Sequence, residues 1–207
     1  GIAWQPLEQF KGFFDGNGFS INNLRMVLTV EDTTAYYGLF KSIDGAIIKN
    51  LTMNDVYIQI NVTTTGNNNH ESYIGALAGH AYNYNIIENV HINGELIVRN
   101  QTNGSDYLGG FFGRSSSNNK FKQLSFEGIL TNNSTQSSSS TGGITSRISD
   151  STLEEIYTNV MIKGRNFLGG LIGESDSNII KNVYRILRLF SDCNTCFSEH
   201  LLLEKKD

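Results

Sequence analysis

Gly75-Ala76-Leu77-Ala78-Gly79, followed about ten residues later by Ile87-x-Asn89-Val90, is the stretch whose reading decides the fold. Both halves recur. The second reappears as Ile21-x-Asn23-Leu24, Ile48-x-Asn50-Leu51 and Ile180-x-Asn182-Val183, and in weaker form as Phe121-x-Gln123-Leu124 and Leu153-x-Glu155-Ile156. The first reappears as Tyr37-Gly38-Leu39-Phe40, Gly109-Gly110-Phe111-Phe112-Gly113, Gly142-Gly143-Ile144 and Gly169-Gly170-Leu171-Ile172-Gly173. The polar positions lie 27, 39, 34, 32 and 27 residues apart. Two linked patterns repeating in order at such a period identify a solenoid.

A period near 30 leaves room for three short strands and their turns. Alternation within the units agrees: Val90 and Ile92, then Leu96 and Val98 after Gly94, and later Val160 and Ile162 before Gly164. A leucine-rich repeat would need regular Leu spacing, and a propeller blade a longer repeat. With 21 Gly and a single Pro in 207 residues, long helices are disfavoured and short strands joined by tight turns are favoured. The expected fold is therefore all-β: a right-handed parallel β-helix of about six coils. Stacked coils bring equivalent residues about 4.8 Å apart, so like side chains form ladders. On this reading Asn, Gln and Glu at the recurring polar site form one ladder that buries Asn50. Leu39, Ile48, Leu77, Ile87, Phe111, Phe121, Ile144, Leu153, Leu171 and Ile180 point inward. The paired glycines allow tight bends or close approach to the next coil. Residues 1–184 hold the repeats. Residues 185–207 lack Gly turns and are expected to be short helical, capping or docking pieces, since solenoid ends need protection from edge pairing.

Length and charge narrow the function. One sizeable core fits this length. The net charge of −4 comes from scattered acids and bases, with no nucleic-acid footprint or polybasic patch. No apolar run approaches the roughly 20 residues of a membrane span. The chain opens on Gly1-Ile2-Ala3-Trp4 without a signal peptide, as expected of a mature or excised fragment.

Trp4-x-Pro6, Phe14-Asp15-Gly16-Asn17-Gly18-Phe19-Ser20-Ile21-x-Asn23-Leu24 and Tyr37-Gly38-Leu39-Phe40 resemble the opening of GLUG-motif proteins. That family takes its name from a Gly-Leu-x-Gly element and occurs in adhesins and other secreted or surface proteins. The Gly-Gly-Phe-Phe-Gly and Gly-Gly-Leu-Ile-Gly elements are similar to its repeating core, and the resemblance covers about residues 4–184. Gln123 and Glu155 depart from the Asn of the pattern, and Ser146 from its closing Gly. The resemblance implies a β-helical repeat within a larger surface chain, and no catalytic set.

Residues that could carry chemistry have plainer readings beside them. Asp15-Gly16-Asn17-Gly18 looks like the start of a calcium loop but lacks an EF-hand's further ligands, and it reads as a turn. Cys193-Asn194-Thr195-Cys196 suits a disulfide better than a zinc site, which would need four ligands, or a redox pair. His70, His80 and His91 read as surface residues. Glu88 and Glu154 point outward two coils apart, too far to act on one bond. Residues 131–141 read as a flexible polar insertion. N-glycosylation sequons fall at Asn50, Asn61, Asn100, Asn103, Asn132 and Asn133. Asn61, Asn100, Asn103, Asn132 and Asn133 are the glycosylation candidates, on one variable edge; Asn50 is expected to stay bare. Tyr36, Tyr37, Tyr73, Tyr82, Tyr84 and Tyr107 offer aromatic surface to a partner or stack along the axis.

The function expected is a non-enzymatic structural or adhesive module, extracellular or on the cell surface, within a larger protein or filament. No cofactor or metal is implied. Its partners would be other protein chains or surface glycans, in a stacked or filamentous assembly. The alternatives are a polysaccharide-binding or -cleaving β-helix, and a packing subunit of a larger assembly.

Overall fold

β-Branched and aromatic residues alternating with polar ones give strands, and the turn residues between them decide where each strand changes direction. The computed structural model describes residues 4–31, 34–63 and 70–190. Its strands form three parallel sheets, of six, eight and five strands, which are the three faces of a parallel β-helix. Coil 3 illustrates the path. Ala78–Tyr82 lies on face 1, Ile86–Asn100 on face 2 and Ser105–Gly109 on face 3, and the chain then returns to face 1 at Phe112–Ser116 to begin coil 4. Each face-1 strand pairs with the next in order, from Leu7–Phe10 to Ile172–Asp176, so the described chain forms five full coils and the first two faces of a sixth.

Registers are continuous from coil to coil, so each outward or inward position becomes a column. Inward columns form one core in which Phe112 stacks on Phe121 at 5.0 Å between ring centres. Nine of the ten expected inward residues are buried; Ile180, on coil 6, is 41% exposed, because no further described coil covers it. The glycine pattern marks the corner between faces 3 and 1. A Cβ on Gly109 would lie 2.0 Å from the Phe112 carbonyl oxygen, so only glycine fits so sharp a turn.

Three expectations need correction. Face 2 is not two short strands with a turn: coil 2 runs Ile47–Thr63 as one bent strand. The bend sits at the recurring polar residue, because Asn50, Asn89, Gln123, Glu155 and Asn182 all have φ between 52° and 57°. Asn tolerates this left-handed conformation better than most residues, which is why it recurs there. Its side chain faces outward, so Asn50 is half-exposed rather than buried. Second, Asn23 does not belong to this column. Ser20, Ile21 and Asn22 pair with Thr52, Met53 and Asn54, so Ile21-x-Asn23-Leu24 matches the second bend of coil 2, at Asp55, and Phe14-Asp15 matches Ile48-Lys49. Third, Arg185–Phe190 is not helical but completes the coil-6 strand Ile179–Phe190.

Candidate functional site

Along the corner between faces 3 and 1, outward columns from the two sheets meet. Tyr36, Tyr73 and Tyr107 are in register or stacked on face 3 of coils 1 to 3, with ring centres 5.2 and 4.8 Å apart. Beside them on face 1 runs a column of Ser42, His80, Arg114, Arg147 and Glu174. The Arg147 guanidinium lies 4.5 Å from the Tyr107 ring centre and donates to the Tyr107 hydroxyl at 3.1 Å. It also grips Glu174 through two bonds of 2.9 Å, a bidentate geometry that fixes the planar fork. At the other end the Tyr73 hydroxyl donates to Glu71 at 2.6 Å.

Electrostatics follow from this packing. Burial raises the proton affinity of the Tyr73 and Tyr107 hydroxyls, so both remain neutral donors. Burial, with help from the Arg114 charge, lowers the His80 pKa to about 4, leaving a neutral imidazole within 3.2 Å of the Ser116 hydroxyl. Tyr73 and Tyr107 are each only 2% exposed, so their faces are spent on each other. What the strip offers a partner is its rim: half-buried Tyr36, exposed Arg114, and a hollow of about 260 Å³ between Arg114, Arg147, Glu174 and Asp176. The other tyrosines scatter. Tyr37 is in the core, Tyr82 leans on His80 at 4.9 Å, and Tyr84 stands exposed alone.

The variable edge between faces 2 and 3 is not the loose loop cluster expected. Asn100 and Asn132 are 2% and 3% exposed, and their amide nitrogens, the atoms a glycan would need, are committed inside. Asn100 Nδ2 donates to Asp106 Oδ2 at 2.6 Å and to the Gly104 carbonyl at 3.2 Å; Asn132 Nδ2 donates to the Asp106 carbonyl at 3.1 Å. Both are therefore removed as glycan acceptors of the folded chain. Asn103 and Asn133 are exposed; Asn61 is half-buried, with its Nδ2 3.4 Å from the Leu28 carbonyl. The low-complexity segment is likewise anchored, since Ser134, Ser139, Ser140 and Thr141 are buried. His70 is also buried rather than at the surface, 3.4 Å from the Thr102 hydroxyl and 3.2 Å from Asn100 Nδ2. Asp106 is fully buried; Oδ2 is bonded, but Oδ1 has no partner of hydrogen-bonding geometry among the described residues. Burial raises its pKa, and the Asn100 bond and the neighbouring His70 only partly oppose this.

No family model matches this chain, and no curated protein matches it.

The remaining expectations can be placed. Asp15 Oδ1 accepts from the Asn17 amide at 2.8 Å and from Asn50 Nδ2 at 3.0 Å, an Asx turn that starts the surface amide ladder continued by Asn89. Glu88 and Glu154 face outward with Lys122 between them in register. Their full column is Asp15, Lys49, Glu88, Lys122, Glu154 and Lys181, alternating in sign through all six coils. Lys49 meets Glu88 at 2.8 Å. Among the described residues no cluster of three or more His, Cys, Asp or Glu could hold a metal, and no helix is long and apolar enough to cross a membrane. Cys193 and Cys196 lie outside the described residues.

The sequence reading missed the ladder that is buried. Ala46, Asn85, Asn119, Ser151 and Asn178 stack in register at the corner between faces 1 and 2, each directly before the face-2 strand. Asn119 Oδ1 accepts from the Asn85 amide at 2.9 Å, Asn85 Oδ1 from the Ala46 amide at 2.8 Å, and Asn178 Oδ1 from the Ser151 amide at 2.9 Å. A polar or small residue two positions before Ile48, Ile87, Phe121, Leu153 and Ile180 was the available signal.

Proposed function

We propose that this chain is a non-enzymatic structural and adhesive module, a rigid rod that presents the sides of its coils to partners outside the cell. The observation that supports this reading is the run of matched columns along the axis. The buried Asn column, the tyrosine–arginine strip and the alternating charges each tie three or more successive coils together. Such ties make every coil a rigid platform for the next, and six coils give a rod of roughly 30 Å. The resemblance to GLUG-motif surface proteins is consistent with that role. Incubation of the full chain with polymeric glycans and immobilised matrix proteins tests it, reading bound protein and newly released reducing ends. Retention without release is expected; time-dependent release overturns the non-enzymatic reading.

A packing subunit is the second reading, favoured by the coil-6 edge, where Ile179, Ile180, Tyr184 and Ile186 are exposed. Against plain stacking of another apolar coil stands Arg185, which occupies the inward column of Thr158. Inward charge is a known means of discouraging edge-to-edge growth.

A further inference from the structure

A hollow of about 450 Å³ runs along the outer side of face 2, over coils 3 to 6. Coils 3 to 6, which pair here without a register shift, line it. Coil 2 carries an extra residue at its second bend, Asp55 with φ 54°, and the register slips between Ile92 and Gly94. Gly94 and Gly128 form the floor of the hollow. On the first wall, amides are saturated up to coil 3: Asn54 donates to Asn22 and Asn93 to Asn54, both at 2.9 Å, and Asn93 accepts from the Asp55 amide. There the chain of amides breaks, because the next residue in register is Glu127, an acceptor only. Among the described residues its one bond, from Asn159, is a long 3.4 Å.

On the second wall Glu95 and Arg188 bracket Ile129 and Met161 in one column, and neither charge has a hydrogen-bond or ion-pair partner among the described residues. The hollow thus offers carboxylate acceptors, a guanidinium fork, an amide and an apolar patch in a line parallel to the axis.

We propose that this hollow binds a neutral, hydroxyl-rich oligosaccharide lying along the coils, which rests on the adhesive reading above and names its ligand class. Hydroxyls both donate and accept, so they match carboxylates and guanidinium at once through charge-assisted bonds, while sugar C–H faces cover Ile129 and Met161. An extended peptide is a poorer fit, since the backbone groups of the floor are used in the parallel ladder and leave no edge to augment. Acidic glycans and nucleic acids would meet Glu95 and Glu127.

Calorimetric titration of the full chain with cellohexaose, laminarihexaose, maltohexaose and N-acetylchitohexaose tests the proposal. At least one should bind, and Glu95→Ala and Arg188→Ala should each weaken it tenfold or more with an unchanged melting temperature, while Lys120→Ala leaves it intact. No binding by any of the four at millimolar concentration overturns the hollow as a site and leaves the rigid-rod reading standing. So does binding that Arg114→Ala abolishes and the hollow variants do not. Release of reducing ends during a titration that the hollow variants weaken would keep the site and overturn the non-enzymatic reading instead.

Discussion

Replacing Asn119 by Ala is expected to destabilise the chain more than any other single truncation of a polar side chain. Asn119 Nδ2 faces Ser116 O at 2.8 Å, Ser115 Oγ at 2.9 Å and Ala81 O at 3.2 Å, and Oδ1 accepts from both Asn85 nitrogens. Truncation orphans the buried Asn85 amide, at about 1–3 kcal/mol, and removes two further donated bonds worth about 1 kcal/mol each. The sum is about 3–5 kcal/mol, a large part of a typical domain's stability. Asn119→Ser should cost less, because Ser151 fills the same column in coil 5 and bonds the Ser149 carbonyl at 2.9 Å. Urea unfolding followed by circular dichroism gives the global loss, and native-state hydrogen exchange at the Asn85 amide gives the local one. A loss below about 1 kcal/mol, with Asn85 still protected, would refute the claim that this column is the spine of the stack; so would equality with Asn133→Ala at the surface.

One buried and one half-buried group should give stability opposite slopes with pH. Asp106 has a raised folded pKa, so its folded state holds the proton more firmly and stability falls as pH rises past the ordinary carboxyl range; Asp106→Asn should remove that loss, read as urea midpoints from pH 4 to 7. His80 has its pKa lowered from 6.5 to about 4, so stability falls as pH drops through that window, by on the order of 3 kcal/mol at most, and His80→Gln should flatten that limb. Gly128→Ala would put a Cβ 1.9 Å from the Gly94 carbonyl oxygen at φ +149°, and a loss of roughly 3 kcal/mol is expected in thermal melts; an unchanged melting temperature would contradict the bend geometry. Expressed in a secretory cell, the chain should carry glycan at Asn103 and Asn133 and none at Asn100 or Asn132 by peptide mapping; occupancy of the buried pair would contradict the corner described here.

The period and the inward apolar positions were legible because burial demands them in every coil, so Ile48, Ile87, Phe121 and Leu153 repeat with little variation. The meaning of the recurrent Asn was not. A residue selected for positive φ and one selected for buried hydrogen bonding are the same letter, and only the register separates Asn50 on the surface from Asn85 in the core. The Asp106 corner was hidden for a different reason. Its members His70, Asn100, Thr102 and Ser134 come from loops of unequal length, so no spacing in the sequence marks them as neighbours. The tyrosine–arginine strip was half legible: Tyr73 and Tyr107 stood out as aromatics, but the Arg147 that caps them comes from a coil two turns further on.

The alternating column from Asp15 to Lys181 makes the solenoid count in twos. Losing one coil, for example the fourth, would set Glu88 directly against Glu154, and duplicating one would set like against like in the same way. Gain or loss of a pair keeps every junction attractive. Lengthening or shortening of this rod, whether by recombination or by design, should therefore be tolerated best in steps of two coils.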